Sequence, residues 1–363
     1  MDVSKAAVFI GPQKPFEIQE FPVPEVGPGA VLVKMQMAAV CGSDVHKWHD
    51  PKSKGPIIMG HENVGLVAQI GRGIAEDAIG QQLKEGDRIV FRAAPCGRCY
   101  DCTVGLSCHV TPHYGMLPAD QAPYLTGGFS EYLYLEPHPW VLKIPDEMST
   151  ERALMAVIGN HTVLLGIEKI DGIQLSDTVV VQGAGPIGMG ALVQTKVMGA
   201  KKVIVIGGPS NRLKLAREIG ADEVVDMAEY PTPEARVERV KELTRGIGPD
   251  VVVECSGANT AVQEGLEMVR KGGKYLVIGQ ATDYGQQPIN PSLITLKAVR
   301  MEGAMASTAP FGYIVRSVEA MNSVVPFPVE KLITHKYPLA GINEAIKVHE
   351  SYEAMIPVIM PNA

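Results

Sequence analysis

Two short segments of the chain carry residue types that could do chemistry together. Cys41-Gly42-Ser43-Asp44-Val45-His46 is followed by Gly60-His61-Glu62, with His61 fifteen residues after His46. A thiolate, an imidazole and a carboxylate are donors that zinc takes, and three protein ligands leave a fourth position open to water or substrate, as a catalytic metal requires. Taken singly, a cysteine is more often a small core residue; it is the combination with a nucleotide-binding pattern downstream that gives Cys41, His61 and Glu62 weight. Further on, Cys96-Gly97-Arg98-Cys99-Tyr100-Asp101-Cys102 is followed by Cys108, so four of the six cysteines fall within thirteen residues. Four thiolates can close a tetrahedral shell with no position left open, which is the pattern of a structural zinc that pins a loop. The start of the chain does not read as a secretion signal, so this spacing implies metal binding rather than disulfides.

The elements that must position these residues read as two kinds of structure. Up to about residue 150, short β-like runs alternate with Pro and Gly, as in Ala30-Val31-Leu32-Val33-Lys34-Met35 and Arg88-Ile89-Val90-Phe91, which predicts a β-rich domain with long loops. Residues 153–168 read as helical and lead into a second domain. There the apolar strand Thr178-Val179-Val180-Val181-Gln182 enters Gly183-Ala184-Gly185-Pro186-Ile187-Gly188 and a helix, and Val203-Ile204-Val205-Ile206 follows. This is a βαβ unit with the dinucleotide fingerprint at its first turn. Gly183 permits the turn, Gly185 lets backbone approach a pyrophosphate, Gly188 lets helix pack on strand, and the helix N-terminus at Pro186 and Ile187 offers N–H groups to phosphate. Strand and helix patterns keep alternating to about residue 304, which predicts an α/β fold with a doubly wound parallel sheet. From about Met305 the pattern changes, and the tail is read as returning to the first domain.

Composition narrows the function classes. The chain has 363 residues, 46% of them hydrophobic, and a net charge of −7 with no basic cluster in either half, which argues against nucleic acid or an anionic membrane as partner. No run of about 18 apolar residues occurs, and a cytoplasmic location is expected.

The order of these motifs resembles the zinc-containing medium-chain dehydrogenase/reductase family, which includes alcohol, sorbitol and threonine dehydrogenases. The carriers are Cys41-x-Ser43-x-x-His46, Gly60-His61-Glu62, the Cys96/Cys99/Cys102/Cys108 lobe, Gly183-x-Gly185-x-x-Gly188 and Leu332-Ile333-Thr334-His335. The resemblance spans nearly the whole chain. It implies a GroES-like catalytic domain from both chain ends, residues 1–158 and 305–363, around a Rossmann domain at 159–304. It implies two zinc ions, one at Cys41, His61 and Glu62 and one in the cysteine lobe, with Ser43 and His46 as a proton relay and Asp44 orienting the imidazole. Zinc as a Lewis acid acidifies a substrate hydroxyl at neutral pH. The carbinol carbon can then give a hydride to nicotinamide while Ser43 and His46 pass the proton to solvent. The expected partner is a small-molecule secondary alcohol or polyol, or the matching carbonyl, and the expected state is a homodimer or homotetramer using edge strands near residues 274–278 and 299–303.

Three positions depart from the family pattern. A further ligand position falls on Ile158 or Gly159, leaving Asn160 or His161 as candidates to turn inward. The gap from Cys102 to Cys108 holds five residues where the family more often has seven, so that His109 could replace Cys108. The basic residue that members often place near the chain end falls at about Ile356. Alternatives to the dehydrogenase are a non-catalytic zinc- and nucleotide-binding relative and a zinc-free quinone or enoyl reductase. For the cofactor, an NAD site normally has an acid about twenty residues after the glycines. Here Gly207-Gly208-Pro209-Ser210-Asn211-Arg212 follows the second strand, with no acid before Glu218. Space at Gly207, the Ser210 hydroxyl and the Arg212 guanidinium suit a 2′-phosphate, and NADP(H) is favoured over NAD(H).

Overall fold

A computed structural model of the chain describes residues 3–106, 108–111, 113–281 and 285–363. The chain forms two compact units, Met1–Val157 with Ile333–Ala363, and Ile158–Leu332.

The first unit is built on strand Val31–Ala39, whose inward residues Val31, Val33 and Met35 are fully buried. It pairs antiparallel with Asn63–Ile70, Tyr132–Leu135 and the C-terminal strand Ile356–Met360. The resulting seven-stranded sheet runs Ile333–Pro338, Ile356–Met360, Val31–Ala39, Asn63–Ile70, Arg88–Arg92 and Trp140–Lys143, with Tyr132–Leu135 off that path. The two C-terminal strands therefore join a sheet otherwise built from residues 31–143. A second sheet of three strands joins Glu17–Pro22, Val3–Phe9 and Ile57–Ile58. Phe9, Met59, Phe129, Ile342, Ile346 and Ile359 form one of its cores. Burying each such side chain is worth roughly 1.5–3 kcal/mol, so this core can hold nearby backbone without help from a metal.

The second unit is a six-stranded sheet, parallel throughout, in the order Glu223–Asp226, Lys202–Gly207, Thr178–Gln182, Val251–Glu254, Lys274–Val277, Arg300–Gly303. Chain order runs outward in both directions from the centre, as in a Rossmann sheet. Its strands are continuous apolar runs because helices cover both faces; Val179, Val180, Val181, Val251, Val252 and Val253 are all fully buried.

One expectation is sharpened and two are corrected. The helical stretch read over residues 153–168 is two helices, Thr150–Val157 and Asn160–Lys169, separated by Gly159 at φ +67°. That left-handed conformation suits glycine, and a Cβ there would lie 2.1 Å from Ile187 Cδ1. Residues 305–332 do not return to the first unit: they belong with the second, where helix Gly312–Ser323 packs on helix Asn160–Lys169, and the return comes at Ile333. The change of pattern at Met305 marks the end of the parallel sheet rather than the end of the unit. Finally, Lys274–Val277 is paired on both sides and cannot be an edge, whereas Arg300–Gly303 ends the sheet.

Candidate metal centres and dinucleotide-binding turn

Cys41 ends the bend after the central strand and precedes a helix that sequence patterning does not reveal, Gly42–His49. Asp44 sits in its first turn and accepts a hydrogen bond on Oδ2 from the Cys41 N–H at 2.9 Å, which ties the backbone of Cys41 to the helix. Val45 turns into the core formed with Phe9, Phe129 and Ile346 and seats the helix. His61 follows Gly60, whose φ is +90° and whose oxygen accepts from the Gly128 N–H at 2.8 Å and from Asn63 Nδ2 at 3.2 Å. The turn thus presses on Phe129, where a Cβ on Gly60 would meet the ring at 2.8 Å.

These supports bring Cys41, His61 and Glu62 together, with one ligand atom of each within 4.8 Å of the others. Asp44, fully buried, places Oδ1 3.6 Å from His61 Nδ1, and among the described residues neither atom has another hydrogen-bond partner. An imidazole coordinating through Nε2 would direct its Nδ1–H at that carboxylate, the usual arrangement behind a metal-bound histidine. Burial alone would lower the pKa of His61, but Asp44 and then Cys41 outweigh it and hold it well above the ordinary value. Burial pushes Glu62 up to about 7, opposed by His61 and assisted by Asp44. A thiol, an imidazole and a carboxyl gathered in this way suit a bound cation, which would favour the deprotonated donors.

Ser43 Oγ lies 3.4 Å from His61 Nε2, and His46 follows three residues later on the same exposed face of the helix. Partial burial, and then the neighbouring His49, lower the pKa of His46, which keeps its ring neutral and able to accept a proton near pH 7. His49 Nε2 is paired with Glu350 Oε1 at 2.6 Å, and Trp48 donates through Nε1 to Lys14 O at 2.8 Å.

The cysteine lobe is a separate centre. Cys99 Sγ lies 3.5 Å from Cys102 Sγ and 3.7 Å from Cys108 Sγ, and Cys96 Sγ lies 4.0 Å from Cys102 Sγ. A tetrahedral zinc with Zn–S of about 2.3 Å separates its sulfurs by about 3.8 Å, so the four thiols already have the span of a closed shell. The Thr111 hydroxyl and the Cys96 N–H draw Cys108 down to about 5, while desolvation and the neighbouring sulfurs push Cys102 up to about 12. Cys108 lies with the other three thiols, while His109 pairs through Nδ1 with Asp101 Oδ2 at 2.6 Å and makes with Cys99 and Asp101 a further group of possible donors.

The departures noted in the sequence resolve locally. Ile158 is buried, and the Asn160 carbonyl accepts from Gln194 Nε2 at 3.3 Å inside the second unit. Among the described residues His161 belongs to no group of metal donors. Ile356 is buried in the C-terminal strand.

In the second unit Gly183 has φ +111°, and its N–H is bonded to Ile206 O at 2.8 Å. A Cβ on Gly188 would lie 1.9 Å from Gly183 O, whereas one on Gly185 would meet nothing within 4 Å. The open space is therefore at Gly185, before the helix Pro186–Val197, where a pyrophosphate needs it. At the end of the neighbouring strand, a Cβ on Gly207 would lie 2.6 Å from Ala184 Cβ, and Ser210 is exposed in the first turn of helix Ser210–Glu218. Arg212, in the same turn, is 5% exposed. An acid that sequence reading did not place near this turn is Asp226, the register partner of Gly207 on strand Glu223–Asp226, whose Oδ1 accepts from the Ala228 N–H at 2.8 Å. It lies nineteen residues along the chain from Gly207, and only strand pairing brings it there.

The chain matches two family models, an alcohol dehydrogenase GroES-like domain over residues 27–146 and a zinc-binding dehydrogenase domain over residues 186–321. It belongs to the zinc-containing medium-chain dehydrogenase/reductase family. Among its relatives it is 32% identical to a 5-exo-hydroxycamphor dehydrogenase of Pseudomonas putida, covering 99% of each chain. It is 31% identical to a sorbitol dehydrogenase of Rattus norvegicus, covering 91% of this chain and 88% of the other. An alcohol dehydrogenase structure from Thermotoga maritima superposes with a TM-score of 0.91 at 34% identity, covering 99% of this chain and 100% of that one. The protein is accordingly a zinc-dependent oxidoreductase of the alcohol dehydrogenase type that transfers a hydride, with zinc and a nicotinamide dinucleotide as cofactors. The non-catalytic and zinc-free readings are set aside. Among the described residues no helix is long and apolar enough to cross a membrane.

Proposed function

We propose that the protein interconverts a secondary alcohol or polyol and its carbonyl at the Cys41/His61/Glu62 centre, with a second zinc in the Cys96/Cys99/Cys102/Cys108 lobe. The observation that carries this reading is the convergence of Cys41, His61 and Glu62 with Asp44 behind the imidazole and Ser43 in front of it. Bound zinc would supply Lewis acidity toward the substrate oxygen. Cys41, His61 and Glu62 would hold the metal, and Asp44 would keep the imidazole in one tautomer. Ser43 takes the hydroxyl proton through Oγ and hands it to His46, which releases it to solvent. In the reverse direction His46 and Ser43 return the proton to the carbonyl oxygen.

The dinucleotide is read at Gly183, Gly185, Pro186, Ile187 and Gly188. NADP(H) is preferred, because position 207 carries no acid and Ser210 stands exposed at the start of a helix, with Arg212 in the same turn. One observation favours NAD(H) instead: Asp226 brings a carboxylate beside Gly207. The assembly is a homodimer or homotetramer, with Arg300–Gly303 as the available edge on its side of the sheet.

A panel of secondary alcohols, polyols and sugar derivatives assayed with NAD and NADP, together with elemental analysis, tests the reading. Two zinc ions per chain and turnover with NADP are expected. Protein purified without chelators that holds no zinc would sink the catalytic assignment, and kcat/KM favouring NAD would reverse the cofactor preference.

A further inference from the structure

The reading above gives no part to Glu254. This residue ends strand Val251–Glu254, is fully buried, and accepts three hydrogen bonds on one oxygen. Oε1 receives the Ser256 N–H at 2.6 Å, the Ser256 hydroxyl at 2.7 Å and the Gly257 N–H at 2.7 Å. Oε2 is buried too and has no hydrogen-bond partner among the described residues. Burying a carboxylate is costly unless donors compensate. Three charge-assisted bonds do so, and all three come from one turn.

That turn is wedged between two glycines. A Cβ on Gly183 would lie 2.9 Å from Ser256 N, and a Cβ on Gly279 would lie 2.5 Å from Gly257 N. The loops after strands Thr178–Gln182, Val251–Glu254 and Lys274–Val277 therefore touch through bare backbone. Thr178–Gln182 and Val251–Glu254 are the neighbours between which the chain order of the sheet reverses. In open parallel sheets the crevice outside the carboxyl ends of such a pair is where a dinucleotide lies. Any shift of the 255–257 turn is transmitted directly to Gly183, the first glycine of the fingerprint.

We propose that Glu254 is a positioning residue for the dinucleotide: its charged Oε1 clamps the 255–257 turn against Gly183 and sets the width of the crevice. The proposal rests on the dinucleotide reading above. Glu254→Gln keeps the length and one carbonyl acceptor, removes the charge, and puts an NH₂ where Oε2 now lies without a partner. Ser256→Ala removes one of the three donors and leaves the carboxylate in place.

The test is a fluorescence titration of NADH and NADPH into wild type and both variants, with steady-state kinetics and thermal melting on the same preparations. Glu254→Gln is expected to raise the dissociation constant and cofactor KM about tenfold, and Ser256→Ala about threefold, since charged hydrogen bonds are roughly twice as strong as neutral ones. In both, kcat and the alcohol KM should stay within about threefold and zinc content should not change. Cofactor affinity that stays at the wild-type value while the melting temperature falls would reduce Glu254 to a structural role and overturn the proposal. If Glu254→Gln does not fold, an unchanged affinity in Ser256→Ala overturns it equally. Wild type that binds neither dinucleotide fails at the earlier step and removes the reading on which the proposal stands.

Discussion

The two metal-ligand clusters are built by opposite means. Cys96, Cys99, Cys102 and Cys108 come from a single loop in which Tyr100 is 74% exposed, Leu106 63% and Val110 56%, so the lobe has almost no core of its own. Cys41 and His61 come from separate segments seated on a shared buried cluster that includes Val45, Met59 and Phe129. A loop without apolar burial cannot offset its conformational entropy and would depend on a bound metal for its order. A site fixed by burial can stand without one, which leaves an open coordination position available for chemistry. The difference separates stability from turnover, and substitutions in the two places should read out differently.

The largest effect is expected at Cys41→Ser, which removes a ligand from the open centre. Turnover should fall by roughly 10³-fold or more, one zinc per chain should be lost, and melting should barely move because the core beneath is intact. A large drop in melting temperature would show that the open centre also staples the fold. Asp44→Asn keeps the shape but weakens the support behind His61, and should cost roughly 10–100-fold in activity or zinc affinity. Activity and zinc content measured together distinguish this from simple unfolding.

His46→Gln should lower alcohol oxidation by roughly 10²-fold, the lower end of the usual range for an acid–base group, and leave zinc content unchanged. The deficit should grow as pH falls toward neutrality, where solvent offers less base, and small exogenous bases should restore part of the rate. Because burial and His49 depress the His46 pKa, its ring is proton-accepting above that lowered value and lost as an acceptor only below it. The acid limb of the wild-type rate should therefore lie below pH 6.5, the ordinary imidazole value. Loss of zinc in this variant would make His46 a ligand instead.

The smallest effect on turnover is expected at Cys99→Ser. With the lobe opened, melting should fall by roughly 5–10 °C, several kcal/mol on the scale of a two-domain chain. At low temperature kcat should remain within about threefold of wild type. A Cys99 variant as inactive as Cys41→Ser would abolish the distinction between the two centres.

What the sequence determined by itself is whatever depends on neighbours along the chain. The cysteine lobe was legible because its four sulfurs are held by short spacing. The glycine turn was legible because strand, turn and helix follow one another between Thr178 and Val197. Cys41, His61 and Glu62 could be named through the resemblance, but not the geometry that relates them. The helix Gly42–His49 lacks a strong apolar stripe, and its stability comes from Val45 in the core and from Asp44 on the Cys41 N–H. The break at Gly159 was hidden because a single glycine in an apolar run is compatible with a continuous helix until Ile187 packs against it. Residues 305–332 were misassigned because a helix pattern states which face is apolar and not which sheet or helix it will cover. Likewise the absence of an acid at position 207 was read along the strand, while Asp226 arrived beside it across the sheet. Tertiary structure decided these points, because parallel pairing and helix packing join residues whose separation in the chain carries no local signal.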